Sequence, residues 1–117
     1  MNPHTRPIVV IESPYAGDVE RNVTYARACV ADSLARGEAP YASHLLYTQE
    51  GILDDTIPAQ RRMGIDAGLA FHAAASVVAF YLDHGWSDGM TAAYRHALMH
   101  GRVIELRHLN PIWAKEP

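Results

Sequence analysis

The stretch Ile8-Val9-Val10-Ile11-Glu12-Ser13-Pro14-Tyr15-Ala16-Gly17-Asp18 decides the fold. From Ile8 to Ile11 the apolar residues run without alternation, which is the pattern of a short strand buried on both faces, as in a parallel sheet. Ser13 to Asp18 break that run, and Asp18 is a suitable N-cap for a helix over Val19 to Arg36. Val23, Ala26, Val30 and Leu34 recur at helical spacing, and Gly37 sits where a C-terminal cap is expected. Strand, tight loop and helix make half a βαβ unit.

The same pattern returns downstream. Ser76 to Leu82 holds Val77, Val78, Ala79, Phe80 and Tyr81, and the polar turn Asp83-His84-Gly85-Trp86-Ser87-Asp88-Gly89 follows it. Ser87 or Asp88 can cap a helix over Gly89 to His100, Gly101 ends it, and Val103 to Arg107 makes a last strand. Between the two units, a weaker extended segment follows Pro40, through Tyr41 to Leu46. A loop from Tyr47 to Ile57 comes next, long enough to be functional. Pro58 then opens a helix that ends near Ala75, with Met63, Ala67, Ala70 and Ala74 along one face. Four strands alternating with three helices predict a three-layer α/β domain with a mostly parallel sheet, right-handed crossovers and strand order 2-1-3-4. Ligands bind such a sheet at the carboxyl ends of its strands, where the order reverses between strands 1 and 3. The loops Ser13 to Asp18 and Asp83 to Gly89 meet there, and the segment with His44 and Tyr47 forms one side of the same cleft.

At 117 residues the chain is one domain, 1–117, with a core over 7–107 and a tail over 108–117 that ends the chain or reaches a second subunit. There is no internal repeat and no linker. Apolar residues at 49% and charged residues at 20% fit a folded globular chain and argue against a disordered or low-complexity one. A net charge of -3 gives no positive field for a nucleic-acid polymer or an anionic membrane, so neither is expected as a partner. Cys29 is the only cysteine, which excludes an intrachain disulfide and multi-cysteine zinc sites and fits a reducing cytosol. Met1 to Pro7 is polar and Ile8 to Ile11 is too short for a signal or a span, so the expected setting is cytoplasmic.

The candidate site residues each have a plainer account. Backbone amides of Ser13 to Asp18 could hold a phosphate or a sugar hydroxyl, or the loop could simply connect strand to helix; it matches neither a Walker A loop nor GxGxxG. Ser87 and Gly89 at a helix start supply a hydroxyl and close backbone approach, two properties a phosphate site needs, although Ser87 or Asp88 could serve as a cap alone. Asp83, directly after a strand, could orient a sugar hydroxyl or act in acid–base chemistry, or be an ordinary turn aspartate. His96 and His100 lack the glutamate of HExxH and read as surface histidines, so no metal and no cofactor is expected. His44 is placed for a ligand contact, whereas His72 and Cys29 read as structural.

The two loops together resemble the nucleoside 2-deoxyribosyltransferase-like superfamily. The resemblance covers Pro7 to Arg107 and is nearest to a small branch with an SPYxGDxxRN string, here Ser13, Pro14, Tyr15, Gly17, Asp18, Arg21 and Asn22. It implies a flavodoxin-like or Rossmann-like fold, a homodimer or larger homo-oligomer, and a small nucleotide or nucleoside as the partner. It also implies hydrolysis or deoxyribosyl transfer at an N-glycosidic bond, through a glutamate that attacks the anomeric carbon. A serine two residues before the motif glycine, Ser87 before Gly89, implies a 5′-phosphorylated substrate. Tyr15 falls where the first loop of such proteins contacts the sugar or base. The substrate-binding candidates are therefore Ser13, Tyr15, Gly17, Asp18, Asn22, His44, Ser87 and Gly89. The resemblance expects the nucleophilic glutamate four residues after the motif glycine, and Ala93 stands there. Either another carboxylate has taken over, from Asp66, Asp83, Asp88 and Glu12, or the domain binds a nucleotide without cleaving it.

Overall fold

The computed structural model describes residues 5–109. The elements follow in the order β1 (Ile8–Glu12), α1 (Val19–Ala35), β2 (Ala39–Tyr41), α2 (Ser43–Leu46), α3 (Pro58–His72), β3 (Val77–Tyr81), α4 (Asp88–Met99) and β4 (Ile104–Arg107). The strands form one parallel sheet in the order β2-β1-β3-β4, the architecture expected of a flavodoxin-like α/β domain. β1 and β3 lie in the middle, in register from Val9 opposite Val77 to Glu12 opposite Phe80, which is why their sequences are apolar on both faces. The tail over 108–117 lies outside the described residues from position 110 onward.

Two cores sit on the two faces of the sheet. On one side Val9, Ile11, Ala79 and Tyr81 pack against Tyr25 and Cys29 of α1. On the other, Val78 and Phe80 pack against Met90 and Ala93 of α4, with Leu69 of α3 beside them. Cys29 is buried in the first core, as its structural reading required. The period-two alternation therefore sends odd positions of β1 toward α1 and even positions toward α3 and α4. That parity decides where Glu12 and Asp83 go.

The second strand is shorter than the extended segment expected through Tyr41 to Leu46. Pairing with β1 stops at Tyr41 opposite Val10, and Ser43 to Leu46 form a single helical turn, so the described residues hold four helices where three were expected. The chain turns here because it must reach α3. Tyr41 stacks on Phe71 with ring centroids 3.9 Å apart, and a β-carbon at Gly68 would come within 3.2 Å of Ser43, so α2 lies directly on α3. Pro40 stands in the middle of β2. Ala39 donates its N–H to Pro7 at 2.9 Å, so the next nitrogen, that of Pro40, points away from β1. α3 ends at His72, short of Ala75, because Ser76 already donates to Ile8 at 2.8 Å and starts the β3 pairing.

Candidate functional site

A cavity of about 450 Å³ opens at the carboxyl ends of β1 and β3, at the reversal of strand order. Its floor is the end of β1 and the loop after it, with Glu12, Ser13 and Tyr15. One wall comes from α2 and α3, with His44, Arg61 and Gly68. The start of α4 makes the other wall, with Ser87, Asp88, Gly89 and Ala93. A second, outer hollow of about 720 Å³ adjoins it and shares Tyr15, Gly17, Asp55 and Arg61.

The first loop is held in shape by its own side chains. Asn22 is buried and donates its amide to the carbonyls of Tyr15 and Ala16 at 2.9 and 3.1 Å. Asp18 caps α1 by accepting the Arg21 N–H at 3.2 Å, as its position predicts. Gly17 has φ +100, and a β-carbon there would meet nothing within 4 Å, so backbone conformation and not space calls for glycine. Tyr15 then stacks on His44, with ring centroids 4.8 Å apart, and joins the loop to α2 across the cavity. Burial pushes the His44 imidazole below its ordinary value, against the opposing charges of Glu12 and Asp55.

At the other wall, the Ser87 hydroxyl oxygen accepts the Met90 N–H at 3.1 Å and caps α4. Its hydroxyl hydrogen remains available to a ligand, and the first-turn amides of α4 have no acceptor within the helix. Capping and anion binding are thus compatible uses of one residue. Trp86 packs on Phe80 and against the edge of Tyr94, which fixes the lip of the wall.

Of the residues singled out from sequence, Ser13, Tyr15, Gly17, His44, Ser87, Asp88 and Gly89 line the inner cavity, as does Glu12. Asp18 and Asn22 do not line it and act on the shape of the loop. Asp66 is elsewhere. It is exposed on α3 and borders a separate hollow of about 420 Å³ with His96, His100 and Arg102, because Ile65, Gly68 and Leu69 take the positions that face the inner cavity. Asp83 is also turned away, since Tyr81, two residues earlier, faces α1 and Asp83 follows it. It accepts the Tyr25 hydroxyl at 2.6 Å and the Leu109 N–H at 3.1 Å. Burial pushes its carboxyl up, but those hydrogen bonds and the neighbouring His108 hold it below the usual carboxylate range. This aspartate fastens β3 to α1.

Two contributors, Arg61 and Asp55, were missed in the sequence. They line both hollows and form an ion pair at 2.8 Å. His72 is completely buried, and its Nε2 lies 2.9 Å from Glu12 Oε2. No group of three or more His, Cys, Asp or Glu side chains suited to a metal ion occurs among the described residues. No helix among them is long and apolar enough to cross a membrane.

No curated protein matches the chain. Its match is to a family described as a domain of unknown function, and that match runs from 7 to 107, the whole span of the sheet and its helices. The chain belongs to the DUF7768 family.

Proposed function

We propose that the inner cavity binds a small 5′-phosphorylated nucleoside and that the protein breaks its N-glycosidic bond, by hydrolysis or by deoxyribosyl transfer. One observation carries this reading: a capped helix N-terminus, the loop after β1 and a half-buried carboxylate converge on one cavity of about 450 Å³. That volume is in the range of small-molecule sites, about 300–1,000 Å³. The positive end of α4, with the amides of its first turn, favours an anion. With a net charge of -3 over the chain, these local groups are what would hold a phosphate. Glycosidic cleavage also needs a carboxylate near the anomeric carbon, and Glu12, Asp55 and Asp88 border the space.

Incubation of the purified protein with the deoxynucleoside monophosphates, followed by chromatography, tests the reading. Release of free base from at least one of them is expected. No release across all the common bases overturns the catalytic claim.

Ala93 favours a second reading, a domain that senses or sequesters a nucleotide without cleaving it. The position that the superfamily resemblance reserves for a glutamate carries only a methyl group, buried against Met90 and Phe80. Calorimetry across a nucleotide panel separates the readings, since binding without base release supports this one and the absence of any binding sinks both.

A further inference from the structure

We propose that Glu12 is the general base of the cleft and that His72 is the residue that positions it, an assignment that rests on reading the cleft as an N-glycosidic site. Glu12 ends β1 on the face opposite α1, and its side chain keeps 15% exposure where it borders the cavity. His72 lies behind it, 0% exposed, at the last position of α3. Its Nε2 is 2.9 Å from Glu12 Oε2, while its Nδ1, also buried, has no hydrogen-bond partner. A carboxylate can only accept, so the hydrogen of this bond sits on Nε2. A histidine kept solely for packing would leave two polar atoms without partners in the core, which an apolar residue would avoid. Its hydrogen bond among the described residues goes to Glu12, where it holds Oε2 and not Oε1 of a carboxylate that borders the cavity.

The competing carboxylates are less suited. Asp55 is taken up by Arg61 at 2.8 Å. Asp88 is exposed in the first turn of α4, beside the amides that would hold the phosphate, where a second negative charge repels the ligand. Ala93 offers none. Glu12 is therefore the carboxylate that is at once partly shielded, oriented and open to the cavity.

In the step assigned to it, a water molecule lies between Glu12 and the anomeric carbon. Glu12 takes a proton from that water as the water oxygen bonds to the anomeric carbon. The carbon–nitrogen bond breaks and its electron pair leaves with the base nitrogen. The proton held by Glu12 then passes to the departing base or to solvent, so one water is consumed and the carboxylate is restored. His72 keeps its own proton throughout.

The test measures kcat and KM for base release by the full chain and by Glu12→Gln, His72→Phe and His72→Gln, with melting curves as a folding control. Glu12→Gln should lose about 10²- to 10⁴-fold in kcat with KM little changed. His72→Phe should lose about tenfold or more in kcat, again with little change in KM. His72→Gln, whose amide can still donate, should recover part of that loss, a rescue that a purely structural role would not produce. If the wild-type chain releases base and Glu12→Gln matches it, the role of Glu12 is overturned while the proposed function stands. If His72→Gln folds and is no better than His72→Phe, or if His72→Phe keeps the wild-type kcat, the positioning role is overturned. If His72→Phe does not fold, Glu12→Gln and His72→Gln decide alone. If the wild-type chain releases no base at all, the proposed function itself fails and this assignment falls with it.

Discussion

Arg107 and Glu38 meet through two parallel hydrogen bonds, Nη1 to Oε1 at 2.8 Å and Nη2 to Oε2 at 2.7 Å, with the arginine side chain only 3% exposed. The Ser33 hydroxyl adds a third bond to Glu38 at 2.7 Å. Burial pushes the Glu38 carboxyl up, but the bonds from Arg107 and Ser33 outweigh it and hold the group below its ordinary value. Replacing Arg107 with Met would leave the carboxylate shielded and unpaired, and a loss of about 3–5 kcal/mol is expected in urea unfolding. The pH dependence has a definite sign. A depressed carboxyl stabilises the fold above its unfolded value, about 4.3, and that contribution fades as pH falls through the lower folded value. Glu38→Gln should therefore be less stable than wild type at pH 7, with the gap closing below about pH 4.

Ser87 separates a structural role from a binding one. Ser87→Ala removes the cap of α4 and should cost about 1 kcal/mol of stability. Ser87→Asp keeps an acceptor for the Met90 amide but sets a negative charge where the phosphate is proposed to sit. Its melting temperature should stay near that of wild type while deoxynucleoside monophosphate affinity drops in calorimetry. Equal affinity in Ser87→Asp and wild type would remove the phosphate from this helix end.

His44 gives the fold a dependence on pH above the carboxylate range. Its folded value is lowered, mainly by burial, so the unfolded chain binds the proton more readily. Stability should be complete above the unfolded value of about 6.5 and fall as pH drops from there toward the folded value. His96 acts in the same direction, lowered by burial and then by His100, His72 and Arg102. His44→Phe keeps a ring to stack on Tyr15, and its stability should change less between about pH 7 and 5. An unchanged slope would show that His44 is not the group responsible.

Ala93→Glu tests the wall opposite Glu12. Ala93 is 5% exposed and packed with Val78, Phe80 and Met90, so the longer side chain should lower stability by about 1–3 kcal/mol. Base release should not exceed that of wild type if Glu12 already serves the cleft. A large gain in release would instead favour the binding-only reading.

Tyr25→Phe removes the hydroxyl that donates to Asp83 at 2.6 Å and accepts the Asp83 N–H at 2.9 Å. Burial and the bond to Asp83 raise the phenol well above its ordinary value, so it acts as a neutral donor at every physiological pH. A loss of about 1–3 kcal/mol in thermal unfolding is expected, without effect on ligand affinity, because Asp83 does not border the inner cavity.

The uninterrupted runs at Ile8 and Val77 were legible because β1 and β3 are covered on both faces, and the loops after them fell at the cavity for the same topological reason. The segment from Tyr41 to Leu46 misled, since six residues of mixed polarity have no period that separates an edge strand from a helical turn packed on α3. Asp66 was misplaced by one step of helical rotation, about 100° away from Ile65, which does face the cavity. Asp83 and Glu12 could not be sorted from their strands, since the runs before them are apolar on both faces and do not mark which face turns toward α1. The partnership of His72 with Glu12, sixty positions apart in the chain, carries no local signal.

Pro40 has a consequence for the rim of the sheet. Its nitrogen faces outward from β2, on the side where a further strand would seek a donor, and it has none to give. With β2 only three residues long, a neighbouring chain finds almost no ladder to extend there. Among the described residues, the rim of the sheet next to α2 therefore presents no backbone donor at the centre of its strand, and one imino acid weakens the edge beside the cleft as a template for pairing.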